Sequence, residues 1–327
     1  MTVLALVLAG ALQAGAAPDL PGARPCTLAE IAALTAPAPD GAPPFRLACQ
    51  ATLPPGAAIT RRILIEGAEA SGAGLDCAGG ALGRPGARTT TQAPTVAVWS
   101  RPGAQGWSPP TDVFFRDCTI HGAVRIWGMG AGVGMSALRD SSRTPGHTEA
   151  AQDAAPRNIR LTDLTFVGTG SVPLYVGPGV RGVLVERARF SGVSDSVAIY
   201  LDAESAGAAI VDSRFDIRTE REQIAVDGSA HNLIARNRFE LRRRGGVFLY
   251  RNCGEDGVIR HQAPTGNTIV DNDFDGAGWI RPNAVVVGSR EGRRRYCGDD
   301  AGWRFGSSAD DGDRATGNTV ARNTVRR

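Results

Sequence analysis

The chain repeats itself. The stretch Asn232-Leu-Ile-Ala-Arg-Asn237-Arg-Phe239 returns as Asn267-Thr-Ile-Val-Asp-Asn272-Asp-Phe274, and again as Asn318-Thr-Val-Ala-Arg-Asn323-Thr-Val325. Weaker copies run upstream at 208–215, 183–190, 159–166 and 113–120. Their terminal apolar positions form one series: Ile120, Phe166, Phe190, Phe215, Phe239, Phe274 and Val325. From Phe166 to Phe239 the spacing is 24 or 25 residues, and elsewhere insertions lengthen it. A period of this size marks a stacked-repeat architecture and constrains the fold more than any single motif.

Each copy but the last is followed by a second apolar run, at 122–128, 171–177, 196–202, 223–229, 246–252 and 283–289, and a similar run, 95–100, precedes the first. Period-two alternation rich in Val, Ile and Tyr reads as strand. A unit of two or three short strands and a turn cannot bury its own apolar face, whereas a stack of such units can. Parallel strands in register set like residues above like. This predicts an aromatic column and, at a bend, an asparagine column of Asn237, Asn272 and Asn323 that hydrogen-bonds along the stack.

The expected fold is therefore all-β: a single-stranded right-handed parallel β-helix, the hand that crossover rules favour, with a short N-terminal capping helix. Thr27 and Glu30 form a capping box opening an amphipathic stretch to about Ala36, which we place over the first coil. The expected division is a signal peptide over 1–16, a cap over 17–60 and the β-helix over 61–327, with long loops at about 128–157 and 290–316.

Composition narrows the function. All 36 basic residues are arginine, so any mechanism with a lysine base is excluded. A net charge of +3 is too mild for an electrostatic case for nucleic acid. The apolar start ending in Ala14-Gly15-Ala16 reads as a secretory signal, which places the protein in the periplasm or outside the cell. No later run is long enough to span a membrane. The six cysteines, an even number in an exported chain, favour disulfides. Order along the chain suggests Cys26–Cys49, Cys77–Cys118 and Cys253–Cys297, although Cys77 and Cys118 could also be buried thiols. None lies in a CxxC or a Cys/His cluster, which argues against zinc.

The motif Asn-x-Ile-x-x-Asn-x-Phe resembles that of the parallel β-helix superfamily of pectate lyases, alginate lyases and epimerases, and polygalacturonases. The resemblance covers roughly 63–325. It implies a polysaccharide-active protein with its site on a side groove, yet the motif itself says almost nothing about chemistry.

Alternation along the strands locates that groove. With Ile199/Leu201, Ile224/Val226, Val247/Leu249 and Val285/Val287 inward, one outward column reads Tyr175, Tyr200, Ala225, Phe248, Val286. Its neighbour reads Gly177, Asp202, Asp227, Tyr250, Gly288. Coil spacing puts Asp202 and Asp227 roughly 5–6 Å apart on one surface. Such a pair could bind calcium, serve as acid and nucleophile in retaining glycoside hydrolysis, bind sugar hydroxyls, or stand solvated beside arginine. Pectate-lyase-like relatives combine calcium-bound acids with an arginine base, and Arg251 is the nearest candidate here. The polygalacturonase pattern fits less well: Asp299-Asp300 and Asp310-Asp311 lie in an insertion, and no Gly-His accompanies Asp202 or Asp227.

The expectation is thus an exported polysaccharide lyase, or C5 epimerase, acting on an acidic, uronate-containing polysaccharide. Arg251 or Tyr250 removes the C5 proton, and Asp202 and Asp227 organise the cation or substrate. Tyr175, Tyr200, Asn252, Glu255, Arg290 and Arg244 contact the sugar, and calcium is the one cofactor implied. The alternatives are a glycoside hydrolase using the aspartate pair and a non-catalytic carbohydrate-binding β-helix. Arg293 to Arg295 suit carboxylate or sulfate recognition; Trp127, Trp279 and Trp303 could stack on sugar rings. His121, His147, His231 and His261 are each more readily structural than proton-transferring, and the chain is expected to be a monomer.

Overall fold

A computed structural model describes residues 23–242, 244–276, 282–290, 300–310, 312–313 and 315–326. Among them, three parallel sheets of nine strands each run the length of the molecule. Each coil visits the first, second and third sheet in turn, and successive coils stack parallel, giving a right-handed, single-stranded parallel β-helix. The first sheet contains Ile63–Glu66, Val96–Trp99, Val124–Trp127, Leu174–Val176, Ile199–Leu201, Ile224–Asp227 and Val247–Tyr250.

The stack is held from inside by the predicted columns. Ile120 pairs with Phe166, and Phe274 with Val325, at the two ends of the phenylalanine series. Between them Phe166, Phe190, Phe215, Phe239 and Phe274 stack face to face with ring centroids 4.5, 4.7, 4.6 and 4.7 Å apart. All five are fully buried, each contributing about 1.5–3 kcal/mol by leaving water. The asparagines form two ladders rather than one. Asn272 Oδ1 accepts from the Asn237 backbone N–H (2.9 Å) and from Asn237 Nδ2 (3.0 Å), and Asn323 does the same for Asn272. Asn232, Asn267 and Asn318 repeat the pattern at the preceding bend. Buried backbone donors at the bends are thereby satisfied without a strand partner.

At the bend between the second and third sheets, non-glycine residues adopt left-handed backbone: Asp163 (φ 57°), Arg187 (52°), Asp212 (52°), Arg236 (56°), Asp271 (57°) and Arg322 (54°). They pair two by two along the outside. Arg187 holds both oxygens of Asp163 (2.7 and 2.8 Å), Arg236 those of Asp212 (2.8 and 2.7 Å), and Arg322 those of Asp271 (2.7 and 2.7 Å).

The helix Leu28–Thr35 opens on a capping box: the Glu30 N–H donates to Thr27 Oγ1 (3.2 Å), and the Thr27 N–H donates to Glu30 Oε2 (2.8 Å). Leu34 is its buried contact with the core. Disulfides Cys26–Cys49 and Cys77–Cys118 clamp the first coils, with S–S lengths of 2.04 and 1.99 Å. Stable disulfides belong to proteins folded in an oxidising compartment. Cys253 is buried, and its expected pairing with Cys297 lies outside the described residues, as does the apolar start. Among the described residues no helix is long and apolar enough to cross a membrane.

Three segments leave the stack where the first sheet gives way to the second. One carries the helices Ser136–Ser142 and His147–Asp153, another runs from 251 to 267, and the third contains Gly306–Ala309. They build one wall beside the first sheet.

Candidate functional site

Strand register sets the floor of a groove on the outer face of the first sheet. Arg125 pairs with Tyr175, Tyr175 with Tyr200, Tyr200 with Ala225 and Ala225 with Phe248. In the neighbouring column Trp99 pairs with Trp127 and Asp227 with Tyr250. The inward partners Ile199, Leu201, Ile224, Val226, Val247 and Leu249 are at most 1% exposed, so the alternation is in the expected phase. On the last coil of this sheet Val285 is half-buried and Val287 is exposed.

The two aspartates do come together, but as the buried side of the site. Arg260, from the 251–267 excursion, places one guanidinium nitrogen, Nη1, 2.5 Å from Asp202 Oδ1 and 3.3 Å from Asp227 Oδ2. Tyr175 donates its hydroxyl to Asp202 Oδ2, and Tyr200 donates to Asp227 Oδ2 at 2.5 Å. Backbone N–H groups complete both sets: Ala203 to Asp202 Oδ1 (2.8 Å) and Asn252 to Asp227 Oδ1 (2.7 Å). Asp202 keeps 6% of its surface and Asp227 none.

Burial pushes the Asp227 carboxyl up, against the pull of Arg260 and helped by the nearby Asp202 charge. Burial also raises the Tyr175 and Tyr200 hydroxyls well above their ordinary range, as do the aspartates that they face. Both tyrosines are therefore neutral donors at rest. Burial works against the Arg260 charge, but Asp202 and Asp227 outweigh it and hold the guanidinium protonated.

This donor set does not fit calcium. A calcium ion takes six to eight oxygen ligands, whereas Arg260 already stands between the two carboxylates and their oxygens accept from tyrosine and backbone. Among the described residues no group of three or more His, Cys, Asp and Glu side chains is placed to hold a metal.

Above this layer lies a pocket of about 280 Å³. Tyr175, Tyr200 and Arg125 form its floor, Thr90, Ser171, Ser196 and Arg221 one side, and Asp202 and Arg260 the other. A deeper recess of about 130 Å³ shares Arg125, Tyr175, Asp202 and Arg260 and runs under Met135, Leu138 and His147 of the helical insertion. Arg125 is the distinctive group. Its guanidinium carbon sits 4.3 Å from the Trp127 ring centroid and 4.4 Å from that of Tyr175. It forms no ion pair among the described residues, so two aromatic rings hold a positive charge at the groove floor without a carboxylate to neutralise it.

The remaining expected residues fall elsewhere. Arg251 is 2% exposed, and its guanidinium turns away from the groove to Asp310 Oδ1 (2.6 Å). Tyr250 is fully buried, and its hydroxyl bonds Glu222 Oε1 (2.9 Å) and accepts from Arg221. Arg290 crosses over the Tyr250 ring, 4.3 Å from its centroid, and donates to Asn252 Oδ1 at 2.6 Å. Arg244 lies 3.8 Å from Glu220 at the far end of the groove, where a shallower pocket also contains Arg221 and Arg290. The side chain of Glu255 and all of Arg293, Arg294, Arg295 and Trp279 lie outside the described residues. Trp127 is buried beneath Arg125, and Trp303 packs under Arg143. His147 and His261 pair across the helical wall with rings 5.1 Å apart.

Arg125, Arg221 and Arg260 emerge only in the structure. Arg125 had a signal: continuing the Tyr175 column one coil back, into 122–128, reaches it. Arg260 had none, because its excursion carries no strand pattern to fix its place.

No protein-family model matches the chain, and no curated protein does. Among solved structures the chain is similar to a pectin methylesterase variant in complex with a hexasaccharide, at 12% identity, with 76% of each chain covered and a TM-score of 0.25. It is also similar to pectin methylesterase in complex with another hexasaccharide, at 14% identity, with 76% of each chain covered and a TM-score of 0.22.

Proposed function

We propose that the protein is an exported lyase acting on an acidic, uronate-containing polysaccharide, with Arg125 receiving the uronate carboxylate at the groove floor. The observation that carries this reading is an aromatic-clamped arginine with no carboxylate partner among the described residues, beside the Tyr175 and Tyr200 hydroxyls. Arg221, paired with Glu222 at 2.8 Å, and Arg260, paired with Asp202 and Asp227, flank the same pocket as further hydrogen-bond donors. An anionic sugar is drawn in, and its carboxylate is neutralised, which acidifies the C5 proton.

Tyr200 is the proton-transfer group in this reading, in place of the covered Arg251 and Tyr250. Its oxygen takes the C5 proton while its own proton passes to Asp227 Oδ2, 2.5 Å away. Burial has already raised the affinity of Asp227 for a proton. The electron pair of the broken C5–H bond becomes the C4–C5 double bond as the C4–O bond breaks. The departing oxygen is protonated from water in the open groove. Return of the proton to C5 from the opposite side, without bond cleavage, would make the same site an epimerase. Hydrolysis is disfavoured, because Asp202 and Asp227 are both engaged and Asp227 has no exposed surface for water or sugar.

The test is ultraviolet absorbance during incubation with a panel of acidic polysaccharides. A growing signal from the conjugated double bond, abolished in Tyr200→Phe, is the expected result. Release of reducing ends without that signal would replace the lyase by a hydrolase, and binding with neither would leave a carbohydrate-binding solenoid.

A further inference from the structure

A second pocket, of about 360 Å³, lies at the bend leading from the third sheet into the first, near the N-terminal end of the stack. Arg61, Arg62, Arg84, Arg88 and His121 line it, and Asp40 is the one acidic residue among its described lining. Two of the arginines are engaged: Arg84 is 3.1 Å from Asp40, and Arg88 is 3.7 Å from the exposed Asp195. Arg61 and Arg62 form no ion pair among the described residues. Arg61 Nε and His121 Nδ1 are buried without a hydrogen-bond partner. A buried guanidinium N–H left without an acceptor beside a cavity is costly unless an anion completes it.

The position of this pocket relates it to the groove. The 84–94 loop contributes Arg84, Arg88 and Thr89 to the arginine pocket and Thr90, Thr91 and Pro94 to the Tyr175–Tyr200 pocket. Thr89 Oγ1 is pinned to Ser171 Oγ at 2.5 Å, which fixes the loop as the partition between the two. Arg62 immediately precedes the strand Ile63–Glu66, which stands two coils before the Arg125 strand in the first sheet. That offset is about 10 Å, and a pyranose repeat is comparable to one coil spacing.

We propose that the arginine pocket is an accessory subsite for a second anionic group, a carboxylate or sulfate, of the same saccharide chain that occupies Arg125. The proposal rests on the reading of the groove as an acidic-saccharide site. It adds that binding extends toward the N-terminal coils and rewards longer chains.

The experiment is calorimetric titration of the full protein with oligouronates from dimer to octamer, and with sulfated oligosaccharides of equal length. Wild type, Arg61→Gln/Arg62→Gln and Arg125→Gln are compared. The expected result is wild-type affinity that rises with length, a loss of about tenfold or more for the octamer in the double variant, and an unchanged dimer, which is too short to span the two sites. The series with the larger loss identifies the anion. Octamer affinity in the double variant equal to wild type overturns the subsite. Dimer affinity unchanged in Arg125→Gln overturns the groove reading separately, because the wild-type and double-variant comparison still stands. No binding by wild type to any oligomer overturns both.

Discussion

The hydroxyl of Tyr200 lies 2.5 Å from Asp227 Oδ2, so a half-buried phenol at the groove floor is wired to a carboxylate that has no solvent contact of its own. Tyr200→Phe keeps the ring and cuts the wire. Turnover is expected to fall by roughly 10²–10⁴, with KM nearly unchanged. Steady-state kinetics on an accepted polysaccharide separate the two parameters. A rise in KM at constant kcat would instead make Tyr200 a sugar-stacking residue.

Arg260 bridges two buried carboxylates with one guanidinium. Arg260→Met removes that charge and is expected to destabilise the fold by about 3–5 kcal/mol, the usual cost of leaving buried charges unpaired. Adding Asp202→Asn and Asp227→Asn to the variant should restore much of the loss. Urea unfolding of wild type, single and triple variants measures both steps.

A chelator is expected to leave saccharide binding and turnover unchanged, because a guanidinium occupies the position between the carboxylates that a calcium ion would need. Titration with and without chelator checks this. A loss reversed by added calcium would show that the metal is held by a ligand set other than the pair bridged by Arg260.

Burial, with the neighbouring His261, lowers the His147 pKa from 6.5 to about 4. The unfolded chain thus binds more protons at this residue between these values, and stability falls as the pH drops from about 6.5 toward 4. The contribution is complete above 6.5. Replacing His147 with glutamine should flatten this part of the profile, on the order of 1 kcal/mol per pKa unit. Thermal melts of both proteins from pH 7 to pH 4.5 follow it.

Asn272→Ala takes the acceptor from the buried Asn237 N–H and the donor from the Ile234 carbonyl. About 1–3 kcal/mol is expected for a buried group left unsatisfied. Asn323→Ala, at a half-buried position, should cost less. Urea midpoints rank the two.

The sequence made the stack legible because periodicity reports burial directly. A phenylalanine every 24 or 25 residues has only one economical arrangement, and the phase of alternation followed from it. The same logic brought Asp202 and Asp227 together. It went astray where outward-facing was equated with accessible. Tyr250 belongs to the outward column, yet Arg221, Glu222 and Arg290 cover it. Arg251 follows the strand end, yet Asp310, nearly sixty residues on, captures it. Contacts made by excursions depend on where a loop lands, and repeat spacing carries no information about that.

The corner pairs Asp163–Arg187, Asp212–Arg236 and Asp271–Arg322 are too exposed to add much stability singly. Their signs alternate from coil to coil from Asp163 to Arg322, whereas the coil before them sets Asp117 (φ 50°) beside Asp163. Loss or duplication of a single coil would set arginine on arginine or aspartate on aspartate at a backbone conformation with little room to move. Two coils could be gained or lost with the alternation intact. From Asp163 to Arg322 the corner therefore favours gain or loss of coils in even steps, and the like-charged step from Asp117 to Asp163 marks where that alternation begins.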